Sequence, residues 1–303
     1  MPNRLLLKAA QSKRLESLTT RHRLTRPIVL RYVAGDTVQD AWNVARELKA
    51  NGIDVSLDFL GESAFDVEQT RAAMKEYRHA LSELSAVSPG ATISVKLSQL
   101  GVLIDPALCR ENLEDLLATA QQYEVGVEID MEHSSAGRPT LEIFRHLLPK
   151  FPQARQAFQV YMRHTLVDLM SFETVRPRIR LVKGAFDESS DFAIQDASEV
   201  TQQYKYLSRW VLEHLPDPAF GTHDETCIEH VKSTAHELGL DGKAFEFQML
   251  YGIRRDKQRE LVHQGYRVRV YLPYGTEWYP YLMRRMAERP ANLLLFLRSL
   301  VGQ

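Results

Sequence analysis

The 303-residue sequence is poor in cysteine, has no excess of charge of either sign, and contains no long apolar run. With two cysteines, Cys109 and Cys227, no disulfide framework can form. Each sits in a helix-like segment where a small buried apolar side chain is the expected role, which fits a reducing compartment. Lys and Arg total 38 against 39 Asp and Glu, a formal net charge of −1. That balance lacks the basic excess that nucleic acid or an anionic membrane surface demands of its partners. No stretch approaches the roughly 18 consecutive apolar residues of a membrane span. The N-terminal MPNRLLLKAAQSKRL is broken by Lys8 after three leucines, too early for a signal-peptide core. A cytoplasmic protein with no nucleic-acid partner is expected.

Nucleotide and metal signatures are missing too. No G-x-G-x-x-G leads from a strand into a helix and no G-x-x-x-x-G-K-[ST] occurs, so neither a Rossmann-type dinucleotide site nor a P-loop is supported. H-E-x-x-H and C-x-x-C are absent, and Asp130, Glu132, His133 and His223 share no known ligand spacing. No metal is expected.

What is present is alternation. Eight short stretches rich in apolar or β-branched residues, at 54–60, 92–98, 126–131, 158–162, 179–184, 219–223, 245–250 and 267–273, are separated mostly by helical runs such as 67–85, 105–123 and 197–215. Strand and helix alternating without consecutive hairpins imply a parallel sheet of the α/β class, and eight units suit a closed (βα)8 barrel. At about 150 residues per domain the length would admit two domains, yet α/β barrels run to about 250 residues as one. No Gly/Ser-rich or Pro-rich linker divides the chain, which favours a single domain over 1–303. Within it, 1–53 would form N-terminal helices outside the barrel (5–18 and 37–49) and 54–303 the barrel itself. A doubly wound open sheet is the alternative.

In such a barrel the active site lies at the C-terminal ends of the strands. The polar residues expected there are Asp58, Lys96, Asp130, Glu132, His133, Gln159, Arg163, Arg180, Lys183, Thr222, His223, Glu246, Gln248 and Tyr271. A charge inside a barrel costs several kcal/mol unless paired, so each should have a partner or a task. Lys96 or Lys183 could form a Schiff base with a carbonyl substrate, as in a lyase or aldolase; the plainer reading pairs Lys96 with Asp130. In the last helix, Tyr281, Arg284, Arg285 and Glu288 stand at i, i+3, i+4 and i+7, on one face. On an outer surface, Arg284 and Glu288 would be a solvated pair worth a few tenths of a kcal/mol. The helix follows the last strand closely, through PYGTEWYP, and over the barrel mouth its two guanidiniums would make a bidentate carboxylate clamp.

Several motifs in strand order resemble the proline dehydrogenases, flavin enzymes of proline catabolism found alone or as a domain of bifunctional proline-utilisation proteins. R-L-V-K-G-A-[YF] matches 180–186, T-H-[ND] matches 222–224, F-E-F-Q-x-L-x-G matches 245–252, and Y-L-x-R-R-x-x-E matches 281–288, followed by R-P-x-N at 289–292. The resemblance covers roughly 37–300. It implies a distorted barrel that holds FAD without a Rossmann domain, with the last helix over the mouth. It also implies hydride transfer from L-proline to flavin N5, giving Δ1-pyrroline-5-carboxylate, and electron delivery to a quinone. Lys96, Arg284 and Arg285 would bind the substrate carboxylate, with Asp130 beside the lysine. Leu250, Tyr271 and Tyr281 would pack on the proline ring, and Ala185 would border the site. Gln159, Arg163, Arg180, Lys183, Gly184, Ala185, Thr222, His223, Gln248, Arg285 and Glu288 would contact the flavin, its ribityl or its phosphates. Phe186 stands where many relatives carry tyrosine, which bears on discrimination against hydroxyproline. The resemblance allows a link to pyrroline-5-carboxylate dehydrogenase and peripheral contact with the inner face of the membrane. The run LLLFL at 293–297 is the candidate foot for that contact, against its ordinary role as a buried helix face. Because the chain stops soon after the last helix, a monofunctional enzyme is expected.

Overall fold

The computed structural model describes residues 26–61 and 63–288; the side chains of Arg284, Met286, Ala287 and Glu288 are not among those described. The expected helix at 5–18, the R-P-x-N motif and the 293–297 run therefore lie outside the described residues. The chain runs α1 (Arg26–Tyr32), α2 (Val38–Ala50), β1 (Asp54–Phe59), α3 (Val67–Val87), β2 (Thr92–Val95), α4 (Pro106–Gln122), β3 (Gly126–Ile129), α5 (Ser134–Leu147) and β4 (Arg155–Gln159). It continues through α6 (Thr165–Met170), β5 (Arg178–Val182), α7 (Ala197–His214), β6 (Ala219–Gly221), α8 (Glu225–Glu237), β7 (Glu246–Leu250), α9 (Arg255–His263), β8 (Arg267–Tyr274) and α10 (Trp278–Glu288).

The strands form because every second residue can bury itself against a helix. Val55 and Leu57, Ile93 and Val95, Val127 and Ile129, Ile179 and Leu181, Phe247 and Met249, and Val268, Val270 and Leu272 are all buried in the main core. Their alternates point the other way, into the lumen. The eight strands pair in sequence order, all in parallel, and β1 closes on β8 with Ser56 opposite Tyr271. The closed barrel agrees with the sequence, and the open doubly wound sheet is excluded.

Helix starts are set by side-chain caps. Thr37 and Asp40 make a capping box on α2, and Asp66, Asp105, Asp196 and Asp224 accept from backbone N–H groups in the first turns of α3, α4, α7 and α8. One strand differs in position from its expectation. β4 is Arg155–Gln159 rather than 158–162, because its charged first residue, Arg155, is buried in the lumen among carboxylates.

Two helices depart from a regular barrel. Gly275, at φ +123°, allows the turn out of β8, where a Cβ would stand 2.9 Å from the Leu60 carbonyl oxygen. The chain then runs over the mouth as α10, and α2 packs against β1, β8 and α3 in the vacated place on the outer wall, with Trp42 Nε1 donating to the Ala80 carbonyl at 3.3 Å. A second, smaller core of Val29, Tyr32 and Val33 with Leu60, Trp278, Tyr279, Tyr281, Leu282 and Met283 fastens α10 to α1.

Candidate active site

The lumen is built in two layers. The lower layer is a network of buried charges: Arg155 on β4 donates to Glu128 on β3 at 2.9 Å and to Glu246 on β7 at 3.0 Å, and Arg269 on β8 grips both oxygens of Glu246 at 2.8 and 3.0 Å. Gln248 Nε2 donates to both oxygens of Glu128, at 2.9 and 3.0 Å. Arg180 bridges upward, from Glu128 at 2.8 Å to Asp130 in the layer above. The guanidiniums hold the Glu246 carboxyl far below its usual range, although burial works in the opposite direction. Such a floor is paired charge by charge, which is how it survives desolvation.

Glu128, Arg155 and Arg269 escaped the sequence reading, and Glu246 lies in this floor rather than at a strand's C-terminal end. For Glu128 and Arg269 the signal was there: E-x-D running out of β3, R-x-R in β5, E-x-Q in β7 and R-x-R-x-Y in β8 put a polar residue at every second position.

Above the floor opens a cavity of about 590 Å³, within the usual range for small-molecule sites. Its lining brings together Lys96, Asp130, Gln159, Arg180, Lys183, Gly184, Ala185, Thr222, His223, Gln248, Leu250, Tyr271, Tyr281 and Arg285, from seven strands or their following loops and from α10. Asp58, Glu132 and Phe186 line it as well. Arg163 does not: it is exposed, and its Nε donates to the Ser190 carbonyl at 2.9 Å. Arg284 and Glu288 belong to α10, but their side chains lie outside the described set.

Lys96 bonds to Asp58 on β1, with Asp130 Oδ2 3.6 Å away. The Tyr271 hydroxyl donates to Asp130 Oδ2 at 2.7 Å, and its ring lies between Lys96, 6.0 Å from the centroid, and Arg180, at 5.6 Å. Burial pushes the Asp58 carboxyl up, with Lys96 offsetting only part of the effect. For Asp130 the same burial is outweighed by Arg180 and Lys96, and its carboxyl is held below the usual range. Burial pulls on Lys96 as well, but Asp58 and Asp130 prevail and raise its pKa, so the amine stays an ammonium. A Schiff base needs the free amine, so Lys96 is unsuited to that alternative. Lys183 is ion-paired with Asp224 at 2.6 Å.

Beside these charges, the Leu250 backbone N–H donates to His223 Nε2 at 2.8 Å, so that nitrogen carries no proton and the imidazole holds the apolar wall in place. On two of the lining residues a buried polar atom has no hydrogen-bond partner: Gln159 Oε1, whose amide nitrogen is used on the Met131 and Glu132 carbonyls, and Arg180 Nε. Among the described residues no cluster of three His, Cys, Asp or Glu could hold a metal, and no helix is long and apolar enough to cross a membrane.

Comparison with known proteins agrees in one direction. The family model described as "Proline dehydrogenase" matches residues 41–294. Proline dehydrogenase 1 of Bacillus subtilis (strain 168) is 35% identical over 271 residues, 89% of this chain and 90% of the relative. Proline dehydrogenase of Deinococcus radiodurans is 37% identical over 286 residues, 89% of each chain. Among solved structures, proline utilization A from Bdellovibrio bacteriovorus, inactivated by N-propargylglycine, superposes with a TM-score of 0.81 at 23% identity over 87% of this chain. The matched part is 32% of that longer protein, and the likeness shows the fold.

Proposed function

Because the chain belongs to the proline dehydrogenase family, we propose that it oxidises L-proline to Δ1-pyrroline-5-carboxylate with FAD as resident oxidant and a quinone as final electron acceptor. The observation that carries this reading is the convergence on one cavity of two cations, Lys96 and Arg285, with an apolar wall of Leu250, Tyr271 and Tyr281. A zwitterionic ring needs a cationic clamp at one end and an apolar surface at the other to aim one C–H bond.

The wall also suits a flavin. A flavin pyrimidine edge offers an N–H donor and carbonyl acceptors, and two lining residues each carry a buried partnerless atom of complementary kind, the acceptor Gln159 Oε1 and the donor Arg180 Nε. With them, Lys183, Gly184, Ala185, Thr222, His223, Gln248, Arg285 and Glu288 would hold FAD, whereas Arg163 faces outward and is not counted among them. When bound, FAD supplies the two-electron acceptor for the hydride on the ring carbon next to nitrogen.

The chain's own residues do the rest. Lys96, Arg285 and Arg284 bind the carboxylate, and Asp130, tied to Arg180 and to the Tyr271 hydroxyl, holds Tyr271 against the ring. Hydride departure needs a neutral amine, and a carboxylate with a raised pKa is the better proton acceptor. Burial raises Asp58 and Glu132, whereas Arg180 and Lys96 keep Asp130 low. The proton acceptor would be water or a carboxylate lining the cavity, where Asp58 and Glu132 stand beside Asp130. The quinone would be met through peripheral contact with the inner face of the membrane, and the product would pass to pyrroline-5-carboxylate dehydrogenase. Turnover with L-proline and a soluble quinone tests the reaction. Loss of quinone matched to loss of proline is expected, and no turnover would contradict it.

A further inference from the structure

The loop after β5 carries Gly184, Ala185 and Phe186 on the cavity wall. Two residues on, Glu188 does not line the cavity, yet it is only 4% exposed. Its carboxylate crosses to the first turn of α5, where Ser134 donates its backbone N–H to Oε1 at 2.6 Å and its hydroxyl to Oε2 at 2.8 Å. His133 Nδ1 stands 3.5 Å from Oε1, and the His133 ring meets the Phe186 ring edge-on at 6.3 Å. The arrangement recurs at Glu132, which accepts the Ser98 N–H at 2.9 Å and the Ser98 hydroxyl at 2.6 Å. Gln159 joins β4 by donating to the Met131 and Glu132 carbonyls at 3.1 and 2.8 Å. The segments following β2, β3 and β5 and the end of β4 thus form one hydrogen-bonded belt along one side of the cavity.

We propose that Glu188 is a positioning residue for proline oxidation: by clamping the loop after β5 onto the start of α5, it fixes where Ala185 and Phe186 stand in the substrate wall. This rests on the reading of the cavity as a proline site. Wall residues carried by a loop are placed only as accurately as the loop is anchored. Other ties of this loop run singly to carbonyls, among them the Tyr161 hydroxyl to Phe186 at 3.3 Å, the Arg163 guanidinium to Ser190 at 2.9 Å and the Gln195 amide to Glu188 at 3.2 Å. A carboxylate taking two charge-assisted bonds at a helix start is the stronger anchor.

The test compares Glu188→Ala, Glu188→Gln and Ser134→Ala with the parent for KM and kcat on L-proline and on its six-membered homologue L-pipecolate, together with bound flavin and Tm. Glu188→Ala is expected to raise the proline KM about tenfold or more and to narrow the preference for the five-membered ring, with flavin content unchanged. Glutamine can still accept the Ser134 N–H and donate to its hydroxyl, so Glu188→Gln should restore both values, and Ser134→Ala should fall between. A lowered Tm with the parent's KM and ring preference would overturn the assignment. If Glu188→Ala does not fold, an unchanged KM and ring preference in Ser134→Ala does the same. Parent turnover of L-proline is a separate arm whose failure bears on the reaction alone.

Discussion

Lys96 is bonded to Asp58, the buried carboxylate of the neighbouring strand, and is also ion-paired with Asp130 at 3.6 Å. The pairing with Asp130 is the one the sequence favoured, and Asp58 is a second, nearer partner. Asp130 is shared between Lys96 and Arg180, and Asp58 and Asp130 together keep Lys96 charged.

Replacing Lys96 with Met should therefore act twice. Loss of one charged hydrogen bond to the substrate carboxylate, about 1.5–3 kcal/mol, should raise the proline KM about 10- to 150-fold. Asp58 is left buried without its ammonium, a loss of about 3–5 kcal/mol when one partner of a buried pair is removed. Lys96→Met should thus also melt lower, and Lys96→Met/Asp58→Asn should regain much of the Tm without regaining KM. Denaturation curves and steady-state kinetics on the pair of variants check this.

Asp130 carries a pH dependence of definite sign. Arg180 and Lys96 overcome burial and hold its carboxyl below the unfolded value of 3.8, so the folded state binds a proton there less readily than the unfolded chain. Its stabilisation is complete above that value and is lost as pH falls through the lower folded value. Asp130→Asn should melt lower at neutral pH, with the gap to the parent closing as the pH falls through that window. Tm against pH for the two proteins reads it directly.

The floor should matter for folding more than for substrate binding. Arg155→Met leaves Glu128 and Glu246 short of a shared guanidinium and should cost about 3–5 kcal/mol, a fall in Tm on the order of 10 °C. The proline KM of whatever folds should stay near the parent's, since Arg155 does not line the cavity.

The carboxylate clamp predicts a split between substrate and cofactor. Arg284→Met and Arg285→Met should each raise the proline KM about 10- to 150-fold, by the same charged-bond argument. Flavin per chain should change far less. An unchanged KM in both would remove the clamp.

Much of this architecture was legible because the strands bury one face. Val55 and Leu57, or Val268, Val270 and Leu272, mark their strands by apolar alternation. β4 begins three residues before the expected 158–162 because Arg155 and Gln156 at its start lack the apolar character that marks a strand, and only tertiary pairing with Glu128 and Glu246 makes Arg155 a strand residue. The short link before α10 signalled a helix over the mouth, but nothing local to residues 38–50 reveals that α2 fills the place on β8 and β1 that α10 leaves open. Most candidate site residues meet in the cavity because strand-end position determines direction. Arg163 does not, since it lies beyond the end of β4, where the chain has turned outward to Ser190.

The central claim, a flavin-dependent oxidation of proline in the barrel mouth, is tested most directly by one anaerobic absorbance spectrum of the purified protein before and after L-proline. A yellow protein whose flavin band bleaches on adding proline, and recovers on adding a quinone, is the expected result. A colourless protein that cannot be loaded with FAD, or a flavin band that proline leaves unchanged, would contradict it.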